Sequence, residues 1–194
     1  GGSSGATLAG RLSADPSVKV LLLEAGPSDG SFKIKVPLGY GSLFYDEKFN
    51  WKYETEPEPE LKGRRMYWPR GKVLGGSSAI NAMVYVRGHP NDYEDWAEVA
   101  PSWNWSNVEP YFKKIESWKG EESPVRGKSG PVCVSNVEND VHPLTNKYLE
   151  AGQELGFPYN RDYNGNHMEG VAVYQTTTSL SLIHISEPTR PERI

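Results

Sequence analysis

A glycine-rich turn at the start of the chain constrains the fold more than any other feature. Residues 1–5 read Gly-Gly-Ser-Ser-Gly, and the small and apolar residues 6–12 that follow predict a helix ending near residues 13–16. Residues 18–24 then form a short apolar run bounded by turn residues, which predicts a buried parallel strand. A turn, a helix and a strand in this order predict a β-α-β unit whose first strand would precede residue 1.

The spacing within this unit is typical of dinucleotide binding. Glycines let such a turn bend sharply and approach a pyrophosphate, and the N–H groups that open the next helix meet its negative charge. Gly2, Ser3, Ser4 and Gly5 match the last four positions of a G-x-G-x-x-G turn. Glu24 lies 19 residues after Gly5, where its carboxylate can accept hydrogen bonds from ribose hydroxyls. These features alone do not separate NAD from FAD.

A second glycine-rich segment lies at residues 69–88. Its Gly-Gly-Ser-Ser sequence at residues 75–78 precedes small residues that predict a helix. A turn of this kind lets the main chain approach an anionic or planar ligand. The alternative is a flexible surface turn, which the apolar residues on both sides of the segment disfavour.

Residues 71–94 resemble the first signature of the glucose-methanol-choline (GMC) oxidoreductases. The matching residues are Gly71, Lys72, Leu74, Gly75, Gly76, Ser77, Ser78, Ile80, Asn81, Tyr85, Gly88 and Glu94. The resemblance covers most of residues 1–178. Within the family, the sequence at residues 67–71 and 81–88 is most similar to that of the choline dehydrogenase group. It implies an α/β, Rossmann-like FAD/NAD(P)-binding fold of the GMC type, incomplete at both ends.

The resemblance implies FAD as the cofactor. It places residues 2–5 at the pyrophosphate and Glu24 on the ribose. The remaining candidate contacts, near the flavin, are Val73, Gly75, Gly76, Ser77, Asn81, Ala82, Met83 and Val84. Main-chain donors there would stabilise the negative charge that develops as hydride arrives. Some members of the family attach the flavin covalently through a His at the position that aligns with Ile80. Because an isoleucine cannot form this link, a non-covalent flavin is expected here.

The implied reaction is the oxidation of a primary, choline-like alcohol to an aldehyde by hydride transfer to the flavin. In this family the His that acts as the catalytic base lies in the C-terminal part of the protein. We therefore assign no catalytic residue in this chain. His89 and His142, each before a proline, are predicted to be surface or helix-capping residues, and His167 lies in a predicted loop.

Three other functions stay open at this point. A hydroxynitrile lyase of the same family would keep FAD without the redox reaction. A truncated, non-catalytic protein with the flavin fold would need this C-terminus to be genuine. An NAD-dependent dehydrogenase would account for Glu24 but not for residues 70–94.

Composition excludes several classes of partner. The chain carries 21 basic and 25 acidic residues, spread evenly, which argues against a nucleic-acid surface or a polybasic membrane anchor. No apolar run approaches the roughly 20 residues of a transmembrane helix. Cys133 is expected to be a buried packing residue, and no spacing suggests a metal site. The electron acceptor and the compartment stay open, the latter mitochondrial or cytoplasmic if the chain is choline dehydrogenase-like.

The rest of the sequence predicts a single partial domain over residues 1–178. Its other predicted elements are long loops with short strands at 29–60, a helix with a core-facing apolar stripe at 108–118, a strand at 132–135, an amphipathic helix at 143–155 and an alternating β-rich run at 171–178. Residues 179–194, including His184, resemble a translated sequencing-adapter read-through, and we expect them to be a non-native tail.

Overall fold

The structure, a computed structural model, describes residues 1–178. These residues form two compact units, residues 1–83 and residues 84–178. Each unit combines helices with a two-stranded sheet, in agreement with the predicted α/β class. The prediction of a non-native tail, and His184 with it, lies outside the described residues.

The first unit is built from helices and one antiparallel strand pair. Its elements are α1 (Ser3–Leu12), α2 (Phe32–Lys35), α3 (Tyr40–Leu43), β1 (Tyr53–Glu54) and β2 (Tyr67–Trp68), with 3₁₀ turns at Pro37–Gly39, Pro59–Leu61 and Gly76–Ala79. Strand β1 pairs with β2. The core consists of Leu43, Phe49, Val73, Ala79 and Ile80. The glycine-rich segment around residues 75–78 is therefore anchored by apolar residues on both sides, as its sequence indicates.

Two sequence predictions for the first unit are wrong. Residues 18–24 belong to no strand among the described residues, and Leu21 and Leu23 are 83% and 76% exposed. A buried parallel strand needs neighbours along its edges and helices over its faces, and residues 1–178 do not supply them. The helix expected after residues 75–78 is only the 3₁₀ turn Gly76–Ala79, because the backbone leaves the helical region at Ile80, whose φ is −128°.

The second unit contains three longer helices and a parallel strand pair. Its elements are α4 (Pro90–Ala97), α5 (Trp105–Ile115), β3 (Glu116–Trp118), β4 (Val132–Val134) and α6 (Pro143–Glu154), with 3₁₀ turns at Pro101–Trp103 and Glu138–Asp140. Strands β3 and β4 pair with Glu116 opposite Val132. The bounds of β4 and α6 confirm their predictions to within one residue. None of the helices in the described part of the chain combines the length and apolar character needed to cross a membrane.

The prediction for residues 108–118 needs correction. Helix α5 ends at Ile115 because the backbone at Glu116 becomes extended, and residues 116–118 form β3 instead. No residue of α5 is fully buried, so its apolar stripe is a half-buried face rather than core. The alternating run at residues 171–178 forms only isolated bridges, from Val171 to Tyr159 and from Thr176 to Val84 and Ser135.

Candidate functional site

Glycines from separate segments of the first unit meet at the start of α1. The backbones of Gly2 and Gly75 form a parallel bridge, and the amide of Gly75 donates to the carbonyl of Gly1 over 2.8 Å. A Cβ on Gly76 would lie only 2.8 Å from Gly2 Cα. Gly76 also has a φ of 59°, in the left-handed region that favours glycine. Two main chains thus approach more closely here than side chains would allow.

Gly26 and Gly71 extend this region, although the sequence did not lead us to assign either residue a role. A Cβ on Gly26 would lie 1.9 Å from Lys72 O, and one on Gly71 would lie 2.3 Å from the carbonyl carbon of Gly76. The available signal was the position of Gly26, two residues after the end of the expected strand. We call the six residues together the glycine cradle. They are Gly1, Gly2, Gly26, Gly71, Gly75 and Gly76.

The N-terminus of α1 opens beside the glycine cradle. Gly2 is the N-cap residue, no side chain caps the helix, and its first turn carries no acidic residue. The first N–H groups of a helix have no partners within it, and the helix dipole adds partial positive charge at this end. Ser3 and Ser4 are exposed. The segment predicted to hold a pyrophosphate therefore offers donors of the right kind to an anion.

Glu24 lies against the same cradle. Its Oε2 atom is 3.1 Å from the backbone nitrogen of Gly1, and its Oε1 atom accepts a hydrogen bond from the Gly26 amide over 2.9 Å. Burial raises the pKa of this carboxyl group, the hydrogen bond from the Gly26 amide lowers it, and the net shift of the pKa is downward. The structure thus places the ionised carboxylate of Glu24 next to the glycine turn at residues 1–5, as the spacing in the sequence indicates.

The predicted flavin contacts at residues 73–77 are partly structural. The side chain of Val73 is fully buried in the core, at 0% exposure. The hydroxyl of Ser77 accepts a hydrogen bond from the Gly71 amide over 3.0 Å. Contact between Val73 and a cofactor would therefore have to come from the main chain, whereas the Ser77 hydroxyl still has its own hydrogen to donate. Ile80, the position of the tethering His in some relatives, is also buried in the core.

The candidate contacts at residues 81–84 divide between the two units. Asn81 and Ala82 are exposed, and the side-chain carbonyl of Asn81 accepts a hydrogen bond from the Met83 amide over 2.9 Å. This turn holds Met83 at its positive φ. Val84 belongs to the second unit, where it is bridged to Thr176.

The second unit encloses a group of charges that no sequence motif indicated. We call Arg87, Glu116, Arg126 and Asp162 the buried charge cluster. The first three are 2%, 0% and 4% exposed. Glu116 Oε2 lies 2.6 Å from Arg87 Nη2 and accepts from Arg126 Nε over 3.1 Å, and Arg126 Nη1 also bonds to Asp162. Two cations and two anions therefore balance one another, with Asp162 at the edge of the cluster, where its side chain is 28% exposed.

Polar side chains next to this cluster hold the chain at residues 85–87. The Asn164 side chain accepts a hydrogen bond from the Arg87 amide over 2.6 Å, and the Tyr163 hydroxyl donates to the Tyr85 carbonyl over 2.8 Å. The Tyr85 amide donates to the Gln175 carbonyl over 2.9 Å. Burial, followed by the negative charge of Glu116, raises the pKa of the Tyr85 hydroxyl.

The histidines have the structural roles that their sequence context predicts. Nδ1 of His89 accepts from the Asn91 amide at the start of α4, and Nδ1 of His142 accepts from the Leu144 amide at the start of α6, so both cap helices. His167 lies in a loop, also as predicted.

Within residues 1–178 no group of three or more His, Cys, Asp or Glu side chains is arranged to hold a metal ion. Cys133 is half-buried rather than buried, because the two-stranded sheet leaves β4 only partly covered.

Comparison with known proteins identifies relatives of this chain. Residues 1–180 match the family model of the N-terminal part of GMC oxidoreductases. An alcohol dehydrogenase [acceptor] from Pseudomonas putida is 46% identical over 178 residues, which are 91% of this chain and 32% of that protein. The mitochondrial choline dehydrogenase of Mus musculus is 45% identical over 177 residues, with coverages of 87% and 30%. The chain thus spans about a third of the length of these relatives.

Solved structures agree with the sequence comparison. Pyridoxine 4-oxidase from Mesorbium loti superposes with a TM-score of 0.89 at 34% identity, covering 98% of this chain and 38% of that one. An FAD-dependent oxidoreductase from Chaetomium thermophilum gives a TM-score of 0.81 at 34% identity, with coverages of 92% and 32%. These structures confirm the predicted α/β fold of the GMC type. With the family model matched over residues 1–180, the chain belongs to the GMC oxidoreductase family.

Proposed function

We propose that this chain is the flavin-binding part of an FAD-dependent oxidoreductase that acts on CH–OH groups. The complete enzyme would oxidise a primary, choline-like alcohol to an aldehyde. The observation that carries the proposal is the glycine cradle, with the uncapped N-terminus of α1 and the ionised Glu24 beside it. The alcohol and choline dehydrogenases among the relatives support the substrate class, and the FAD-dependent structure supports the cofactor.

The residues present fit a dinucleotide. The close packing of the cradle glycines fixes the start of α1, and at Gly2 a Cβ would meet only Gly76 Cα at 4.0 Å. A pyrophosphate could therefore approach the N–H groups of residues 3–5. Glu24 would accept hydrogen bonds from the adenosine ribose, and the main chain of residues 81–83 would lie near the isoalloxazine ring. FAD, when bound, supplies the hydride acceptor. The part played by these residues is to bind and orient it, while the base that takes the hydroxyl proton would come from elsewhere in the enzyme.

The proposal is tested with the complete protein under anaerobic conditions. It should purify as a yellow flavoprotein whose visible absorption bleaches when choline or another primary alcohol is added, with one aldehyde formed per flavin. Reduction of added NAD⁺ by a colourless protein would point to a nicotinamide-dependent dehydrogenase instead. Release of cyanide from a cyanohydrin, without bleaching, would point to the lyase.

Glu24 provides a direct test of the ribose contact. Glu24→Gln keeps the shape of the side chain but removes its charge, and hydrogen bonds to charged groups contribute roughly 1.5–3 kcal/mol. We expect the dissociation constant for FAD to rise by about tenfold or more. Titration of the apoprotein, followed by quenching of flavin fluorescence, measures this change. The matched variant Glu98→Gln, at an exposed position at the end of α4, should bind FAD as the wild type does. Equal affinities for all three proteins would argue against the ribose role.

Ile80 leads us to expect a flavin that is not covalently attached. An aliphatic side chain offers no nucleophile, and this one is buried in the core. Acid precipitation of the yellow protein should therefore release all flavin to the supernatant and leave a colourless pellet. Mass spectrometry of the digested pellet provides the control, and any peptide that carries the mass of the flavin would contradict the expectation.

A further inference from the structure

The sequence contains a single Asn-Gly pair, Asn164-Gly165. Such a pair is chemically reactive, because the glycine has no side chain to shield its amide nitrogen. This nitrogen attacks the side-chain carbonyl carbon of the asparagine, a new C–N bond closes a succinimide ring, and ammonia leaves. Water then opens the ring to give aspartate or isoaspartate. The net reaction is a hydrolysis, so it needs no oxidant, reductant or other enzyme.

The fold restrains both reacting groups. The Gly165 amide donates to Asp162 O over 2.9 Å. The side chain of Asn164, a residue that is 3% exposed, accepts from the Arg87 amide over 2.6 Å and donates to Tyr85 O over 3.0 Å. Attack requires the amide nitrogen and the side-chain carbonyl carbon to leave these partners and meet. The reaction therefore requires a local opening of the second unit.

The product of the reaction does not fit the closed site. The side-chain nitrogen of Asn164 donates to Tyr85 O and to Gln175 Oε1, the latter over 2.8 Å. A carboxylate has no hydrogen to donate, so it would face two acceptors. Gln175 cannot turn its amide group over, because its oxygen accepts from Arg126 and its nitrogen donates to Asp162. Deamidation would thus leave buried acceptors without donors, which destabilises the closed state.

Charge opposes the product as well. The buried charge cluster holds two cations and two anions, and a carboxylate at position 164 would add a third anion. The side chains of Asp162 and Asn164 both bond to the amide group of Gln175, so two carboxylates would then lie on either side of that group. Like charges this close disfavour each other's ionised form. Isoaspartate would in addition insert a carbon atom into the main chain before Gly165.

We propose that Asn164 is a site of spontaneous deamidation that reacts in locally opened molecules and prevents them from closing again. Opening frees the pair to react, and the reaction removes the contacts that closure needs. Closed molecules are protected, whereas an opened molecule that reacts is lost from the native population. The lifetime of the protein then depends on how often the second unit opens. The inference does not depend on FAD or on alcohol oxidation.

Peptide mapping by mass spectrometry tests the protection. The complete protein is incubated at physiological temperature, one sample in buffer and one in a urea concentration that unfolds it. We expect deamidation at Asn164 to be at least about tenfold slower in buffer than in urea, since a protected site opens only transiently. Asn166 is the internal control, because it is exposed in the native structure and its rate should differ little. Equal rates at Asn164 in the two samples would overturn the proposal.

A variant of the buried charge cluster tests the coupling to opening. Glu116→Ala removes the carboxylate that pairs with Arg87, the residue whose amide bonds to Asn164. In buffer, deamidation at Asn164 should therefore be about tenfold or more faster than in the wild type. Glu121→Ala is the matched control, because its side chain is 92% exposed, and it should react at the wild-type rate. Wild-type rates in both variants would contradict the coupling.

The trapping step has a separate test. Asn164→Asp and Asn166→Asp each add a negative charge, at a buried and at an exposed position. Asn164→Asp should unfold at a lower urea concentration than the wild type, whereas Asn166→Asp should unfold as the wild type does. In aged wild-type protein, gel filtration should place chains deamidated at position 164 in the aggregated fraction rather than in the native peak. Equal shares of these chains in both fractions, or an Asn164→Asp protein as stable as the wild type, would show that deamidation does not trap the open state.

Discussion

Replacing Glu116 with alanine is expected to lower the free energy of unfolding of the second unit by about 3–5 kcal/mol. Glu116 is completely buried and accepts hydrogen bonds from Arg87, from Arg126 and from the Gly127 amide. Its removal would leave two buried guanidinium groups with one fewer counter-charge between them. A buried charge without its partner loses its hydration and gains no ion pair or hydrogen bond to compensate. The loss of stability is therefore larger than the loss of packing alone would cause. Chemical denaturation followed by circular dichroism measures the change.

The control for this prediction is a glutamate of the same unit that faces water. The side chain of Glu121 is 92% exposed, so Glu121→Ala should change the stability by less than about 0.5 kcal/mol. Glu116→Gln should fall between the two, because it keeps the volume and one acceptor atom but not the charge. If Glu116→Ala and Glu121→Ala unfold at the same denaturant concentration, the buried charge cluster does not stabilise the unit as we infer.

Replacing Gly76 with alanine is expected to abolish retention of FAD by the purified enzyme. Two separate penalties act at this position. The φ of 59° costs an L-residue roughly 1–2 kcal/mol, and the new Cβ would lie 2.8 Å from Gly2 Cα. The contact could be relieved only by moving the backbone at Gly2 or the backbone at Gly76. The start of α1 would therefore shift away from the second glycine-rich segment. The ratio of flavin absorbance to protein absorbance after gel filtration measures the loss.

Gly156 separates the two penalties in this experiment. It has a φ of 92°, but a Cβ there would have nothing within 4 Å. Gly156→Ala should therefore lose a comparable amount of stability through backbone strain and still retain its flavin. Full flavin retention by Gly76→Ala would show that the close approach of the two glycine segments is not needed for the cofactor.

The features that could be predicted from the sequence are those whose signal lies within one segment. Helix α6 was predicted because proline and glycine mark its ends, and β4 because a short apolar run follows a turn. The pairing of Glu24 with the glycine turn depends only on a fixed spacing along one β-α-β unit, and the structure places the two side by side. Histidine capping at the start of α4 and α6 is equally local.

The features that could not be predicted depend on partners distant in the sequence. Residues 18–24 have the composition of a buried strand, but composition does not state whether neighbouring strands are present. Glu116 was assigned to a helix because the residues before it are helical, whereas its real environment is set by Arg87 and Arg126. No spacing rule connects these three residues.

The bonds that hold Tyr85 and Arg87 in place also set the order in which the second unit can fold. Their partners, residues 163, 164 and 175, lie between 77 and 90 positions later in the chain. During synthesis at roughly 5–20 residues per second, Glu116 emerges about 3–12 s before residue 175 does. Until then the hydrogen bond from Arg126 to the Gln175 side chain cannot form. The enclosure of the buried charge cluster is therefore complete only after the segment around residue 175 has been synthesised.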